Sequence, residues 1–328
     1  MIENFQRGFK HVLHLTIRLH DRIRILTSKA LALLINISFD IRILLELRGN
    51  EMQNFVRYFG FAILGIVISC TSIKKSEIIS TDKDERVENI LNEADQNTLV
   101  IFDCDKTLFT YQDALFHPNN SEVLKKVLSY LKDKLDKEAI AELFIETRKQ
   151  YPIKLVNKNF PTVIQNLQAK GARVLLLTTH FAGKFRTMER IEDLRKAEIS
   201  PFNFDFKKSW RDCPNFTFHD LPKVKDGITF YPKFDDGIIF ACRNEKGIIL
   251  KHFLKHIPMR FSRIIFVDDK MKNIHSVFGA CQELKIPCTC IEYTKVKNTK
   301  VRVVDFETER KRFDDFIKTK KWKSDSED

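Results

Sequence analysis

A mostly apolar run that ends in two aspartates constrains the fold of this 328-residue chain more than any other feature. Residues Thr98–Phe102 are rich in branched apolar side chains, which predicts a buried β-strand. Asp103 and Asp105 follow it directly, at the carboxyl end where open α/β sheets bind ligands. Because residues two apart in an extended segment point the same way, both carboxylates should face one site. Two carboxylates this close repel each other, which predicts a shared cation or a shared proton.

Two later apolar runs end in side chains that suit the same site. Residues 172–180 predict a second strand, which ends in two threonine hydroxyls. Residues 263–269 predict a third strand, which ends in Asp268 and Asp269. Parallel neighbouring strands open their carboxyl ends on one edge of a sheet, so we expect these groups to meet. The pattern therefore predicts an α/β fold with a mostly parallel sheet flanked by helices.

A lysine and a hydroxyl should complete this edge of the sheet. Lys246 opens a predicted helix and precedes a glycine, and Lys251 of the same helix is the alternative. Thr178 ends the second strand, with Thr179 as the alternative. Carboxylates, a hydroxyl and an ammonium together suit Mg²⁺, a hard ion that prefers oxygen ligands, and a phosphate group.

On the basis of these residues and their order, the chain resembles the haloacid dehalogenase-like hydrolase superfamily over about residues 97–294. The four motifs of that superfamily are matched in order by Asp103–Thr107, Thr178, Lys246 and Asp268–Asn273. A narrower resemblance is to an uncharacterised bacterial family labelled as domain of unknown function 2608, and it rests on Tyr231–Phe240 and Lys246–Gly247. His180 and Lys106 depart from the usual pattern, in which arginine and glycine or asparagine are common. The resemblance implies a Rossmann-like sheet with inserted caps.

The resemblance also implies a reaction, the hydrolysis of a phosphate ester. Asp103 would attack phosphorus and form an aspartyl-phosphate. Asp105 would protonate the leaving oxygen and then deprotonate the hydrolytic water. The superfamily's dehalogenases lack this second aspartate, so its presence implies a phosphatase acting on a small phosphorylated substrate. The alternative function is that of a non-catalytic, membrane-anchored lipoprotein that retains the fold for interaction.

Mg²⁺ is the cofactor that the resemblance implies. Its ligands would be the Asp103 carboxylate, the main-chain carbonyl of Asp105, and Asp269, with Asp268 as the alternative acid. Thr178 and Lys246 would bind the oxygens of the transferring phosphoryl group.

The sequence of the amino-terminal region indicates that the protein is exported, and it shows no pattern of a folded domain. Residues 52–70 combine a short basic start, a ten-residue apolar stretch and a small residue before Cys70, as in a signal peptide with a lipobox. Lipidation of Cys70 would anchor the protein in a bacterial cell envelope, facing the periplasm or exterior; the alternative location is the cytoplasm. For residues 1–51 the hypotheses are an over-extended reading frame, with Met52 as the true start, or an amphipathic extension.

The remaining chain predicts one domain with two insertions. The expected divisions are a linker over residues 71–84, a domain over residues 85–320, insertions over about residues 109–160 and 181–243, and a charged tail over residues 321–328. The first insertion is predicted to form a small helical cap, and the second is predicted to form a helix followed by a β-hairpin. A net charge of +12 favours anionic substrates, and no nucleic-acid motif accompanies it, so we expect no nucleic-acid partner. The cysteines show no spacing that would assign disulfide pairs.

Overall fold

The computed structural model of the protein describes residues 75–324, and this part is α/β with a mainly parallel central sheet flanked by helices. The strands are β1 (Glu77–Thr81), β2 (Thr98–Phe102), β3 (Phe109–Tyr111), β4 (Ile153–Leu155), β5 (Arg173–Thr178), β6 (Phe216–Thr217), β7 (Lys223–Lys225), β8 (Ile228–Phe230), β9 (Lys233–Asp235), β10 (Ile238–Phe240), β11 (Arg263–Asp268) and β12 (Cys288–Tyr293). The α-helices are α1 (Asp84–Asn92), α2 (Ser121–Lys134), α3 (Lys137–Gln150), α4 (Phe160–Ala169), α5 (Glu192–Ile199), α6 (Lys246–His256), α7 (Met271–Leu284), α8 (Lys295–Asn298) and α9 (Phe306–Thr319). Short 3₁₀ turns cover Ala114–Phe116, Pro118–Asn120, Ser200–Phe202 and Lys207–Trp210.

The central sheet has the strand order β1-β12-β11-β2-β5-β10-β9-β6. The strands from β1 to β10 in this order run parallel, and β9 is antiparallel to both of its neighbours. From β2 the chain proceeds outward through β5 to β10, and it then returns to add β11 on the other side of β2. The strand order therefore reverses between β2 and β11, and such a switch point is where open α/β sheets form a ligand crevice.

Both faces of the central strands are covered, which explains their continuous apolar sequences. In β2, Val100 and Phe102 pack with α1 and α4, whereas Leu99 and Ile101 pack with α6 and α7. All of these side chains are fully buried. A strand buried on both faces shows no alternation of polar and apolar residues, so its sequence is apolar throughout.

A separate apolar cluster forms a helical module from two distant parts of the chain, residues 109–155 and 301–324. The antiparallel pair β3–β4 leads into and out of its first part, which contains α2 and α3. The second part contributes α9, whose Phe313 and Phe316 are buried within the cluster. Trp322 is 7% exposed and donates a hydrogen bond to Asp113 at 3.1 Å. Trp322 therefore belongs to this core, whereas the prediction placed it in the charged tail over residues 321–328.

Two other predicted boundaries also differ from the structure. Within the expected linker over residues 71–84, Glu77–Thr81 forms the edge strand β1, which pairs in parallel with β12. Its polar residues misled the prediction, since an edge strand tolerates exposed polar side chains. Within the expected second insertion over residues 181–243, Ile238–Phe240 forms β10, which pairs with β5 and is fully buried. The β9–β10 hairpin therefore extends the central sheet.

The predicted signal peptide, the lipidation site Cys70 and the hypotheses on residues 1–51 lie outside the described residues. Within residues 75–324, no helix is both long and apolar enough to cross a membrane. The six cysteines of this part are all free, and all but Cys213 are buried.

Candidate active site

Three carboxylates converge at the switch point of the sheet. Asp103 follows β2, and its backbone N–H donates to the carbonyl of Val267 in β11 at 2.8 Å. Asp268 ends β11, and Asp269 comes next. One carboxylate oxygen from each of these aspartates lies within 4.8 Å of the others, and all three residues are buried. We call Asp103, Asp268 and Asp269 the carboxylate cluster.

Lys246 bridges two members of this carboxylate cluster, Asp103 and Asp268. Its ammonium contacts Asp103 Oδ1 and lies 2.7 Å from Asp268 Oδ2, and its side chain is fully buried. Lys251, the alternative lysine, instead pairs with Glu283 at 2.6 Å on the surface. The structure thus brings Lys246, and not Lys251, to the predicted site.

Gly247 allows helix α6 to present Lys246 at this point. Its backbone N–H donates to Ser276 Oγ on α7 at 3.0 Å. A Cβ atom at Gly247 would lie 2.0 Å from the carbonyl oxygen of Ser276, a distance that no side chain tolerates. Only glycine therefore permits the first turn of α6 to approach α7 so closely.

The two adjacent aspartates have different surroundings. Asp268 accepts hydrogen bonds from the Lys270 backbone at 2.8 Å and from the Asn273 amide at 3.0 Å, in addition to its contact with Lys246. Asp269 Oδ1, by contrast, is buried and accepts no hydrogen bond. A buried carboxylate oxygen without a partner is costly, so Asp269 is the acid that is available to a ligand.

The carboxylate cluster carries more negative charge than Lys246 can balance. Burial raises the pKa of Asp103 to about 7; Lys246 opposes this shift, whereas Asp268 and Asp269 add to it. Burial likewise raises the pKa of Asp269. Full ionisation of the three carboxylates against the ammonium of Lys246 would leave a net charge of −2. This imbalance, in a site made of oxygen donors, is what a divalent hard cation would relieve.

The loop after β2 holds Asp103 in place. Thr107 Oγ1 donates to Asp103 Oδ2 at 3.3 Å, and the Lys106 N–H donates to the Phe109 carbonyl at 2.7 Å. Lys106 adopts a left-handed conformation with φ of 67°, which glycine and asparagine adopt at less cost. The loop therefore tolerates some backbone strain in order to orient the aspartate.

Asp105 faces a different partner. Its Oδ2 accepts from Arg195 Nη2 of α5 at 2.8 Å, and its side chain is 38% exposed. Desolvation would raise the pKa of Asp105, but Arg195, Arg148 and His180 together lower it below its usual value. The carboxylate is therefore ionised in this state, and it remains accessible.

Thr178 lies at the carboxyl end of β5, next to β2, and is 1% exposed. Its Oγ1 accepts from the His180 N–H at 3.3 Å. Thr179, the alternative hydroxyl, is half-buried.

Comparison with known proteins identifies the family. The profile of the family described as "Protein of unknown function (DUF2608)" matches residues 80–327. The chain belongs to this family. An uncharacterised protein of Rickettsia bellii (strain RML369-C) is 27% identical over 176 residues, which cover 51% of this chain and 59% of that relative. The match therefore spans less than two thirds of the relative's length. No solved structure matches the chain significantly.

In this DUF2608 protein, the sequence did not reveal the partners of Asp105. Arg195 stands 90 residues after Asp105 and belongs to a segment without a motif. Arg148 belongs to α3 and contacts His180, a position at which the resemblance noted from the sequence would have placed an arginine. That difference was the one indication in the sequence of an arginine from elsewhere in the chain.

Proposed function

We propose that this protein is a Mg²⁺-dependent phosphatase of the haloacid dehalogenase type, which hydrolyses a phosphate ester through an aspartyl-phosphate on Asp103. The observation that carries the proposal is the convergence of Asp103 with Asp268, Asp269 and Lys246 at the switch point of the sheet. A turn of polar residues without a catalytic role would have no reason to bury three carboxylates around one lysine, because burying unpaired charge is costly.

The residues fit a Mg²⁺ ion. Asp269 Oδ1 is buried without a hydrogen-bond partner, and the carboxylate cluster sets three acids against the ammonium of Lys246. Asp103, Asp269 and the main-chain carbonyl of Asp105 would hold the ion. Asp268 is better placed to orient Lys246, because both of its oxygens already accept hydrogen bonds. Bound Mg²⁺ would offset the repulsion between an anionic phosphate and the carboxylates.

In the first half of the proposed reaction, an Asp103 oxygen attacks phosphorus and the ester P–O bond breaks. Lys246 neutralises the phosphoryl oxygens and keeps Asp103 oriented, and Thr107 holds the other Asp103 oxygen. Asp105 gives its proton to the leaving oxygen. It must acquire that proton as substrate enters, since its carboxylate is ionised beside Arg195.

In the second half, Asp105 removes a proton from water as the water attacks the phosphorus of the intermediate. The bond between phosphorus and Asp103 breaks, which regenerates the Asp103 carboxylate and releases inorganic phosphate. Two steps of moderate difficulty replace one difficult displacement.

The test is release of inorganic phosphate from a broad panel of phosphate esters, with and without Mg²⁺. We expect Mg²⁺-dependent release, and acid-quenched samples should contain a phosphorylated peptide that includes Asp103. Hydrolysis that persists unchanged in Asp103→Asn, or the absence of release from every ester, would contradict the proposal and would favour the non-catalytic alternative.

We further propose that Cys70 is lipidated and anchors the protein in the cell envelope, a proposal that the sequence alone supports. Expression in bacteria with a radiolabelled fatty acid should label the native protein but not Cys70→Ala. An unlabelled native protein would instead support a location in the cytoplasm.

A further inference from the structure

A second group of charges adjoins Asp105, and its part in the reaction described above is limited to keeping that carboxylate ionised. It consists of Arg195 and Glu198 on α5 together with Arg148 on α3, and we call these three residues the arginine cluster. Glu198 links the two guanidinium groups, because its Oε2 lies 2.8 Å from Arg195 Nη1 and 2.7 Å from Arg148 Nη2. The cluster therefore joins the helical module to the segment that follows β5.

Arg195 has hydrogen-bonding capacity that the structure does not use. It is 2% exposed, and neither Nε nor Nη1 donates a hydrogen bond of good geometry, although Nη1 is ion-paired with Glu198. Its guanidinium lies over the ring of Phe109, 5.1 Å from the centroid. Buried guanidinium donors normally bind acceptors, so these nitrogens are suited to an acceptor that a ligand supplies.

The position of Arg195 beside the proposed acid supports the same conclusion. Asp105 Oδ2 accepts from Arg195 Nη2 at 2.8 Å. A group carried by the leaving alcohol, whose oxygen Asp105 would protonate, should therefore lie close to this guanidinium. A neutral leaving group offers Arg195 no charged acceptor, whereas an anionic one offers the planar, charge-assisted pairing that guanidinium groups favour.

We propose that the arginine cluster selects phosphate esters whose leaving alcohol carries a second anionic group, a carboxylate or a second phosphate. This inference rests on the proposed phosphatase function and names its substrate class. Arg195 would bind the second anion, and Arg148, held by Glu198, would add positive charge from the other side. Lys246 remains the group that serves the transferring phosphoryl, so the two anions of the substrate would have separate cationic partners.

The test compares three esters with Mg²⁺: glycerol 3-phosphate, 3-phosphoglycerate and glycerol 1,3-bisphosphate. 3-Phosphoglycerate and glycerol 1,3-bisphosphate carry a second anionic group, which glycerol 3-phosphate lacks. We expect the native protein to favour at least one of these two esters over glycerol 3-phosphate by about tenfold or more in kcat/KM. Arg195→Met should bring the kcat/KM values of the three esters together, whatever its effect on turnover through Asp105. Arg211→Met, which changes an exposed arginine, should leave the preference intact. Which of the two esters is favoured distinguishes a carboxylate from a phosphate.

Several outcomes would overturn the inference while the phosphatase function stands. One is equal kcat/KM for all three esters in the native protein, a measurement that needs no variant to fold. Another is an equal loss for all three esters in Arg195→Met, which would mean that Arg195 serves the transferring phosphoryl group. Should Arg195→Met fail to fold, Arg195→Lys replaces it and should still reduce the preference, because lysine lacks the bidentate fork.

If the native protein hydrolyses none of the esters, the phosphatase function fails, and calorimetric titration of the same esters onto the native protein decides the inference separately. Tighter binding of an ester with a second anionic group than of glycerol 3-phosphate, lost in Arg195→Met, would support the inference. Equal or undetectable binding would overturn it.

Discussion

The carboxylate cluster and the arginine cluster lie on either side of one short loop, yet they are built differently. The first consists of residues that end or directly follow β2 and β11, the two strands at the switch point of the sheet. The second consists of residues on α3 and α5, helices that follow long connections away from that sheet. Its charges balance when Asp105 is included, whereas those of the carboxylate cluster do not.

This difference separates two tasks. A rigid strand end holds a nucleophile and its charged neighbours in fixed positions, which suits the reaction itself. The amino-acid sequence of helices on inserted segments can change without disturbing the sheet, which suits residues that determine substrate choice. Changes in the carboxylate cluster should therefore affect turnover and metal binding for every ester alike, while changes in the arginine cluster should alter the preference among esters.

The largest effect is expected from Asp103→Asn, which should lower phosphate release about 10³-fold or more for all substrates alike. The amide is a poor nucleophile, and it removes a charge from a crowded site, so the melting temperature should not fall. Asp133→Asn, at an exposed aspartate, is the matched control and should retain full activity. If Asp103→Asn affected some esters and spared others, the separation between the two clusters would not hold.

Lys246→Met should cost about 3–5 kcal/mol in the free energy of unfolding, because it leaves buried carboxylates without their cation. Mg²⁺ should restore part of this loss, since it supplies positive charge to the same oxygens. Lys251→Met is a close control, as it lies on the same helix but pairs with Glu283 at the surface. Denaturant unfolding with and without Mg²⁺ gives both quantities, and equal costs for the two variants would contradict a charge imbalance at the site.

The part of the molecule built on strands is also the part that the sequence predicted best. The coarse fold class is confirmed, and the predicted strand Thr98–Phe102 has the bounds of β2, because burial on both faces gives a clear apolar run. The meeting of Asp103 with Asp268 and Lys246 followed from parallel strands that open on one edge. These features depend on local pattern and on a general rule of sheet topology.

The arginine cluster could not be predicted in this way. Arg148 and Arg195 meet through Glu198 only because two helices from separate segments pack together, and the chain contains 56 lysines and arginines. The edge strand β1 escaped prediction for a related reason, since Glu77 and Ser80 are polar where one side of the strand has no neighbour. Tertiary packing, rather than periodicity, determines both features.

Gly247→Ala should destabilise the protein by about 1–3 kcal/mol and reduce turnover for all esters, because the added Cβ would force α6 away from Ser276 and carry Lys246 with it. Gly279→Ala on α7 is a matched control, since nothing lies within 4 Å of its Cβ position. Replacement of a helical glycine by alanine there should stabilise the protein by up to about 1 kcal/mol. Thermal unfolding separates the two, and an unaffected Gly247→Ala would show that the position of Lys246 does not depend on this contact.

The smallest effect concerns pH, and it tests the charge imbalance of the carboxylate cluster without any substitution. Mg²⁺ binds ionised carboxylates, whereas burial raises the pKa of Asp103 to about 7 and also raises that of Asp269. Below pH 7 the ion must therefore displace protons, so its affinity should rise with pH, by about tenfold per unit for each proton released, and level off above neutrality. Calorimetry between pH 5.5 and 8.5, in buffers of different ionisation enthalpy, would measure both the affinity and the proton release. In Asp103→Asn the slope should decrease, because one titrating ligand is gone. An affinity that is independent of pH in the native protein would mean that no carboxylate of the cluster titrates in this range, which would contradict the raised pKa values and the charge imbalance inferred from them.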